Sequence, residues 1–196
     1  MEDLTTVSRS CYCGAPRAAD IGTTIVIKGW VHRRRDHGGL IFVDLRDRTG
    51  LCQVVFSPES LSENEFERAG TLRNEYVLAV KGEIARRPEG TVNSKIPTGE
   101  IEIITKSFTI LNTSEPPPFA LDEYANVSED TRLRYRFLDL RRPEMQSVLF
   151  TRARMYKSVR DYLSGQGFIE VETPMLTRST PEGARDFIVP SRLSPG

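Results

Sequence analysis

Residues 29–56, GWVHRRRDHGGLIFVDLRDRTGLCQVVF, hold a three-arginine cluster, a Gly-Gly turn and two runs of strict alternation in one unbroken block. In the first run Ile41, Val43 and Leu45 share one face, leaving Leu40, Phe42, Asp44 and Arg46 on the other. In the second, Cys52, Val54 and Phe56 share a face, with Leu51, Gln53 and Val55 opposite. Alternation with period two marks strands that bury one face. The other face is mixed, and it offers an aromatic ring at Phe42 and a planar amide at Gln53. A ring gives an unpaired base a stacking surface, an amide can pair with a base edge, and arginines nearby can hold phosphates. Two readings stay open on these residues alone: a sheet surface for single-stranded nucleic acid, or a solvated face with an incidental phenylalanine.

Upstream, Ile25, Ile27 and Val31 continue an apolar face that Gly29 interrupts, and a glycine inside a strand often marks a bulge or bend. His37-Gly38-Gly39 suits a hairpin turn, and Asp47-Arg48-Thr49-Gly50 joins the second strand (40–46) to the third (51–56). Downstream the period changes. Residues 62–72 predict a short helix, 75–84 alternate again, and 86–98 form a loop rich in Pro, Gly and Asn. A fifth strand is predicted around Ile101, Ile103, Phe108 and Ile110, with Glu100 and Glu102 facing away from the core. Three strands, a helix and two strands is the order of an OB-fold, a mainly β five-stranded barrel that binds oligonucleotides on its strand 2–3 face.

Composition narrows the class. The 196 residues suffice for one large or two small domains, with 38% hydrophobic and 28% charged residues. Lys and Arg number 27, as do Asp and Glu, so net charge is no argument for a nucleic-acid partner. Between Lys28 and Arg48, however, six basic residues face three acidic ones, enough to contact a few phosphates. No stretch reaches the roughly 20 apolar residues of a membrane span, and the first residues resemble no signal peptide. Cys11, Cys13 and Cys52 are odd in number and spaced for neither a disulfide framework nor a zinc site. No metal site is expected, no membrane association, and a reducing cytoplasm is the expected location.

Past residue 112 the character shifts again. Residues 113–125 (TSEPPPFALDEYA) are Pro-rich and acidic, and three consecutive prolines should stiffen them. Then comes the basic, aromatic block RLRYRFLDLRRPEM. Pro143 suits the first turn of a long helix carrying an apolar stripe through Met145, Leu149, Ala153, Tyr156, Val159 and Leu163. Residues 168–173 predict a short strand stopped by Pro174. The expected organisation is an OB-fold over 1–112, a linker or hinge over 113–142, and the opening of an α+β domain over 143–196, cut before its core is complete.

Four blocks in this order, GWVHRRRDHGGLIFVDLRDR, RLRYRFLDLRRPEM, GFIEVETPMLT and STPEGARDFIVPSR, closely resemble the N-terminal part of bacterial-type aspartyl-tRNA synthetases. GFIEVETP resembles motif 1 of class II synthetases, which implies that the long helix and its following strand build a homodimer face. The resemblance implies that Phe42 stacks on an anticodon base, Gln53 reads the central uracil, and Arg33 and Arg35 contact phosphate or bases. It implies that Glu102 pairs with the first anticodon base, a guanine. A carboxylate can accept from the guanine N1–H and N2–H₂, and a glutamine can match uracil's donor and acceptor. Apart from the resemblance, a solvated strand carboxylate is the simpler reading of Glu102. Glu182, in PEGARD, would hold the ammonium group of substrate aspartate. His37 after RRRD, with Gly90 in the loop before the fifth strand, resembles the non-discriminating enzymes that charge both tRNA(Asp) and tRNA(Asn) and feed an amidotransferase.

The activity so implied is an aspartate–tRNA ligase using ATP, Mg²⁺ and L-aspartate, a homodimer at full length. The family's ATP-binding arginines and Mg²⁺ carboxylates are not among the matching blocks, so no catalytic residue is expected within this chain and neither cofactor should bind to it. The alternative is a stand-alone OB-fold tRNA-binding module without catalysis.

Overall fold

The computed structural model describes residues 3–122, 126–176, 178 and 189–193. Five strands, β1 (Thr24–His37), β2 (Leu40–Asp47), β3 (Gly50–Phe56), β4 (Val77–Arg86) and β5 (Ile101–Asn112), close into a barrel in the order β1-β2-β3-β5-β4. Every pairing is antiparallel except β3 with β5, where Val54 lies beside Ile103 in parallel. The alternation seen in the sequence is what closes it. Ile27, Val43, Leu45, Val54, Val80 and Ile103 point inward and are almost wholly buried. Phe56 and Phe108 meet edge to face across this core, ring centroids 5.0 Å apart. Truncating either ring would cost about 3–5 kcal/mol.

The helix α1 (Glu63–Gly70) follows β3. Ser62 and Glu65 form a reciprocal capping box, each side chain accepting the other's backbone N–H, which fixes where the helix begins. The β1–β2 turn is Gly38-Gly39, with φ of +60° and +77°. Two successive left-handed residues make the turn whose twist matches a hairpin, and only glycine adopts both at no cost.

The irregularity of β1 does not fall at Gly29. Val31 pairs with Leu45 but Arg33 with Asp44, so the extra residue is His32. Gly29 serves a different end: a Cβ there would lie 2.5 Å from the carbonyl oxygen of Arg46, so its hydrogen lets the neighbouring strand pass closely.

The chain divides into two compact units, Met1–Ala120 and Leu121–Gly196. This boundary lies eight residues beyond the expected end of the barrel at 112, because the segment that follows β5 belongs to the first unit and buries Phe119. The linker or hinge expected over 113–142 carries regular structure past its Pro-rich part. It contains α2 (Glu129–Arg134), capped by Ser128, and α3 (Arg136–Asp139). Asp139 is fully buried and ion-paired to Arg132 at 2.9 Å, Arg136 at 2.7 Å and Arg142 at 3.4 Å. Burial opposes its ionisation, but the hydrogen bonds and charges of these arginines hold the carboxyl below its ordinary range. Three of the five arginines in RLRYRFLDLRR thus converge on one carboxylate, while Arg134 lies over the Tyr135 ring.

The helix α4 (Pro143–Gly165) starts on Pro143 as expected and leaves Leu149, Tyr156, Val159 and Leu163 exposed. Residues 168–173, expected as a strand, form no ladder among the described residues, since a strand exists only through a partner.

Candidate nucleic-acid interface

The bulge at His32 decides which arginines face the outer sheet surface. Before it, odd-numbered Ile25, Ile27 and Val31 point into the barrel. One extra residue reverses the parity, so Arg33 stands opposite Asp44, Arg35 opposite Phe42 and His37 opposite Leu40. Directly opposed residues share a face, which places Arg33, Arg35 and His37 with Phe42 on the outside. Arg34 takes the other face, paired to Asp36 at 2.8 Å.

The bulge is pinned from β2. Arg46 makes a bidentate ion pair with Glu75, both contacts 2.9 Å, and its second guanidinium nitrogen lies 3.0 Å from Nδ1 of His32. Glu75 has a φ of +65°, uncommon outside glycine, and its backbone N–H donates to the Val31 carbonyl at 2.7 Å. The left-handed residue, the ion pair and the bulge thus form one locked unit.

On the face so defined, four polar side chains join in a line across four strands, β1, β2, β3 and β5. Arg35 donates to Asp44 at 2.8 Å and to the amide oxygen of Gln53 at 3.4 Å. The amide nitrogen of Gln53 donates to Glu102 at 2.9 Å. Gln53 and Glu102 each retain only 7% exposure. Glu102 does leave the barrel interior, yet it is no solvated strand carboxylate. Burial raises its pKa, while the Gln53 hydrogen bond and the charge of Arg87 act in the opposite direction. Arg87 is itself buried and donates to the Ile101 carbonyl at 2.9 Å. Burial lowers its pKa against the pull of Asp44 and Glu102. Phe42 is half-buried beside this line, two residues from Asp44 on the same strand.

The structure therefore brings Arg35, Gln53 and Glu102 into direct contact and sets Arg33 and Phe42 on the same surface. His37 is exposed at the end of β1, and Gly90, with φ of +79°, lies in the β4–β5 connection. No hydrogen bond joins these two among the described residues. Glu182 lies outside the described residues. Two contributors were not picked out from sequence. Asp44 lies on the mixed face with no role assigned to it from the sequence, and Arg87 falls in the segment 86–98 expected as a loop. The one signal for Arg87 was its position directly after a strand, level with the start of β5. Among the described residues no group of three or more His, Cys, Asp or Glu side chains could hold a metal ion.

The closed five-stranded barrel is that of an OB-fold, and known families match in the same order. The family of OB-fold nucleic acid binding domains matches residues 25–111, and that of class II tRNA synthetases (D, K and N) matches residues 128–196. Through these two matches the chain is similar to the aspartyl-type class II tRNA synthetases. It is 59% identical over 196 residues to the aspartate–tRNA(Asp/Asn) ligase of Moorella thermoacetica, covering 100% of this chain and 32% of that protein. It is 55% identical over 195 residues to the ligase of the same name from Caldanaerobacter subterraneus, covering 100% of this chain and 33% of the relative. The chain thus spans about a third of the length of these curated relatives. Among solved structures, asparaginyl-tRNA synthetase from Pyrococcus horikoshii superposes with a TM-score of 0.77 at 24% identity, over 91% of this chain and 39% of that one. Aspartyl-tRNA synthetase from Entamoeba histolytica gives 0.73 at 22%, over 82% and 38%. At such identities these two show the fold.

Proposed function

We propose that this chain is the anticodon-recognising part of an aspartate–tRNA ligase that charges tRNA(Asp) and also tRNA(Asn). The observation that carries the reading is the line Arg35–Gln53–Glu102 beside Phe42 on the strand 2–3 face. An aromatic platform next to an amide and a carboxylate supplies one stacking site and two edge-reading groups. The carboxylate suits guanine and the amide suits uracil, the first two letters of the aspartate anticodon. The relatives' name, with both tRNAs in it, supports dual charging.

In the whole enzyme, ATP with Mg²⁺ would activate L-aspartate as an adenylate before transfer to the tRNA 3′ end. The described residues of this chain carry no step of that chemistry; their part is to bind and orient the tRNA. The exposed apolar side of α4 suits a homodimer face, and a cytoplasmic setting suits the work.

The test is titration of the chain with an anticodon stem-loop bearing guanine-uracil-cytosine and with a scrambled loop at fixed salt. Preference for the first is expected, with Phe42→Ala weakening it by about 1–3 kcal/mol through lost stacking. Equal affinity for both loops would overturn the reading.

A further inference from the structure

We infer that Arg9, Tyr12 and Arg48 form a second phosphate-binding site, at the β2–β3 end of the barrel, for the sugar-phosphate backbone of the same RNA. The inference rests on the reading of the outer barrel face as an RNA surface. The guanidinium carbons of Arg9 and Arg48 lie 4.7 Å and 4.6 Å from the centroid of the Tyr12 ring. Two cations are thereby drawn to one aromatic ring, and both arginines are exposed.

Neither guanidinium has an ion pair or hydrogen bond among the described residues. In this they differ from Arg34, Arg35 and Arg46, each of which faces a carboxylate. The nearest acid in sequence, Asp47, is committed elsewhere, accepting the backbone N–H of Cys13 and of Thr49, each at 2.7 Å. Ten guanidinium N–H donors are therefore left to an external acceptor, and phosphate oxygens match that fork geometry.

Anchoring of the N-terminal segment does not account for the stack. That segment is already tied to the barrel by Ser10 to Val26 at 2.7 Å, Cys13 to Asp47 at 2.7 Å and Gly14 to Thr49 at 2.9 Å. The position suits a continuous strand of RNA. Arg48 follows Phe42 by six residues along β2, about 20 Å at the rise of an extended chain. A backbone leaving the Phe42 platform along β2 would reach the two arginines after a few nucleotides.

The test is a salt series on binding of the guanine-uracil-cytosine stem-loop to the wild-type chain and to Arg9→Gln/Arg48→Gln. Two lost phosphate contacts should flatten the slope of log affinity against log salt by about 1.4, at ~0.7 for each single-strand contact. Affinity for the scrambled loop should fall by the same factor, since phosphates carry no sequence. Arg9→Lys/Arg48→Lys should recover part of the slope. If the double variant fails to fold, Arg9→Gln alone, outside every strand, should give half the change. Phe42→Ala, run in parallel, should weaken binding with the slope unaltered. An unchanged slope in the arginine variants with a weakened Phe42→Ala overturns this site and leaves the barrel-face reading standing; no effect from either sinks both.

Discussion

Gln53 and Glu102, contributed by β3 and β5, share a 2.9 Å hydrogen bond under 7% exposure each, while Arg35 donates to the same amide from the other side at 3.4 Å. Each end of the amide thus has one internal partner, which leaves its oxygen one further lone pair and its nitrogen one further N–H for a base edge. The two partners fix the plane of the amide, and removing either leaves a buried polar atom unpaired.

The first consequence concerns pH. Burial raises the Glu102 pKa above its ordinary value of 4.5, so the folded barrel holds the proton more tightly than the unfolded chain. The stability linked to this group is fully present below that ordinary value and is lost as pH rises through the raised one. Glu102→Gln imitates the protonated form, so its urea midpoint should lack this decline. Binding should move the opposite way, because accepting from guanine N1–H and N2–H₂ needs the ionised carboxylate. Wild-type affinity for a guanine-first loop should rise with pH across the same window, and Glu102→Gln should lose that rise. Identical pH profiles for the two proteins, in both stability and binding, would refute the assignment.

A second prediction tests the bulge. Arg46→Met keeps the aliphatic stem but removes the bidentate partner of Glu75, which retains only 11% side-chain exposure. Leaving a mostly buried carboxylate short of its donors should cost about 1.5–3 kcal/mol of barrel stability, read from chemical denaturation. RNA affinity should fall further than stability explains, because the parity of Arg33 and Arg35 depends on His32 staying looped out. Native-like binding in a destabilised Arg46→Met would mean that the bulge holds without its latch.

In the second unit, Asp139→Asn keeps shape and removes the charge that three arginines surround. Amide exchange in residues 129–142 should quicken while the barrel amides stay protected. Because the Asp139 pKa is lowered, wild-type protection there should hold above the ordinary carboxylate range and fade as pH falls through the depressed value. Unaltered exchange in Asp139→Asn would show that backbone and packing alone hold α2 and α3.

The barrel was legible because its signal is local. Period-two runs at 40–46 and 51–56, a Gly-Gly turn and a Ser62–Glu65 cap each act within a few residues. The ligands of the face were half legible for the same reason: Phe42 and Gln53 follow from alternation within one strand. What escaped depends on contacts distant in sequence. The His32 bulge is set by Arg46 and Glu75, and nothing in RRR says which arginines turn outward. Glu102 is buried by Gln53, 49 positions away, so its own neighbourhood reads as solvated. The arginine-rich block read as a basic hinge because Asp139, the group it surrounds, is a single acid among them.

The last prediction concerns the third anticodon letter. Aspartate and asparagine anticodons differ there as cytosine and uracil, which present an amino donor and a carbonyl acceptor at the same ring position. A neutral histidine donates through one ring nitrogen and accepts through the other, so one side chain can serve either base by changing tautomer. His37 is exposed at the end of β1. The bulge puts it on the outer face with Phe42, opposite Leu40, and the left-handed Gly38-Gly39 turn beyond it presents no side chain to obstruct a base. Leucine at the same position keeps bulk and removes both polar atoms. In the full-length enzyme, wild type should charge tRNA(Asp) and tRNA(Asn) at comparable kcat/KM. His37→Leu should alter the ratio between the two tRNAs while leaving ATP–pyrophosphate exchange, which needs no anticodon, untouched. A wild type that rejects tRNA(Asn), or a His37→Leu that slows both tRNAs equally, would reduce His37 to a residue of the turn.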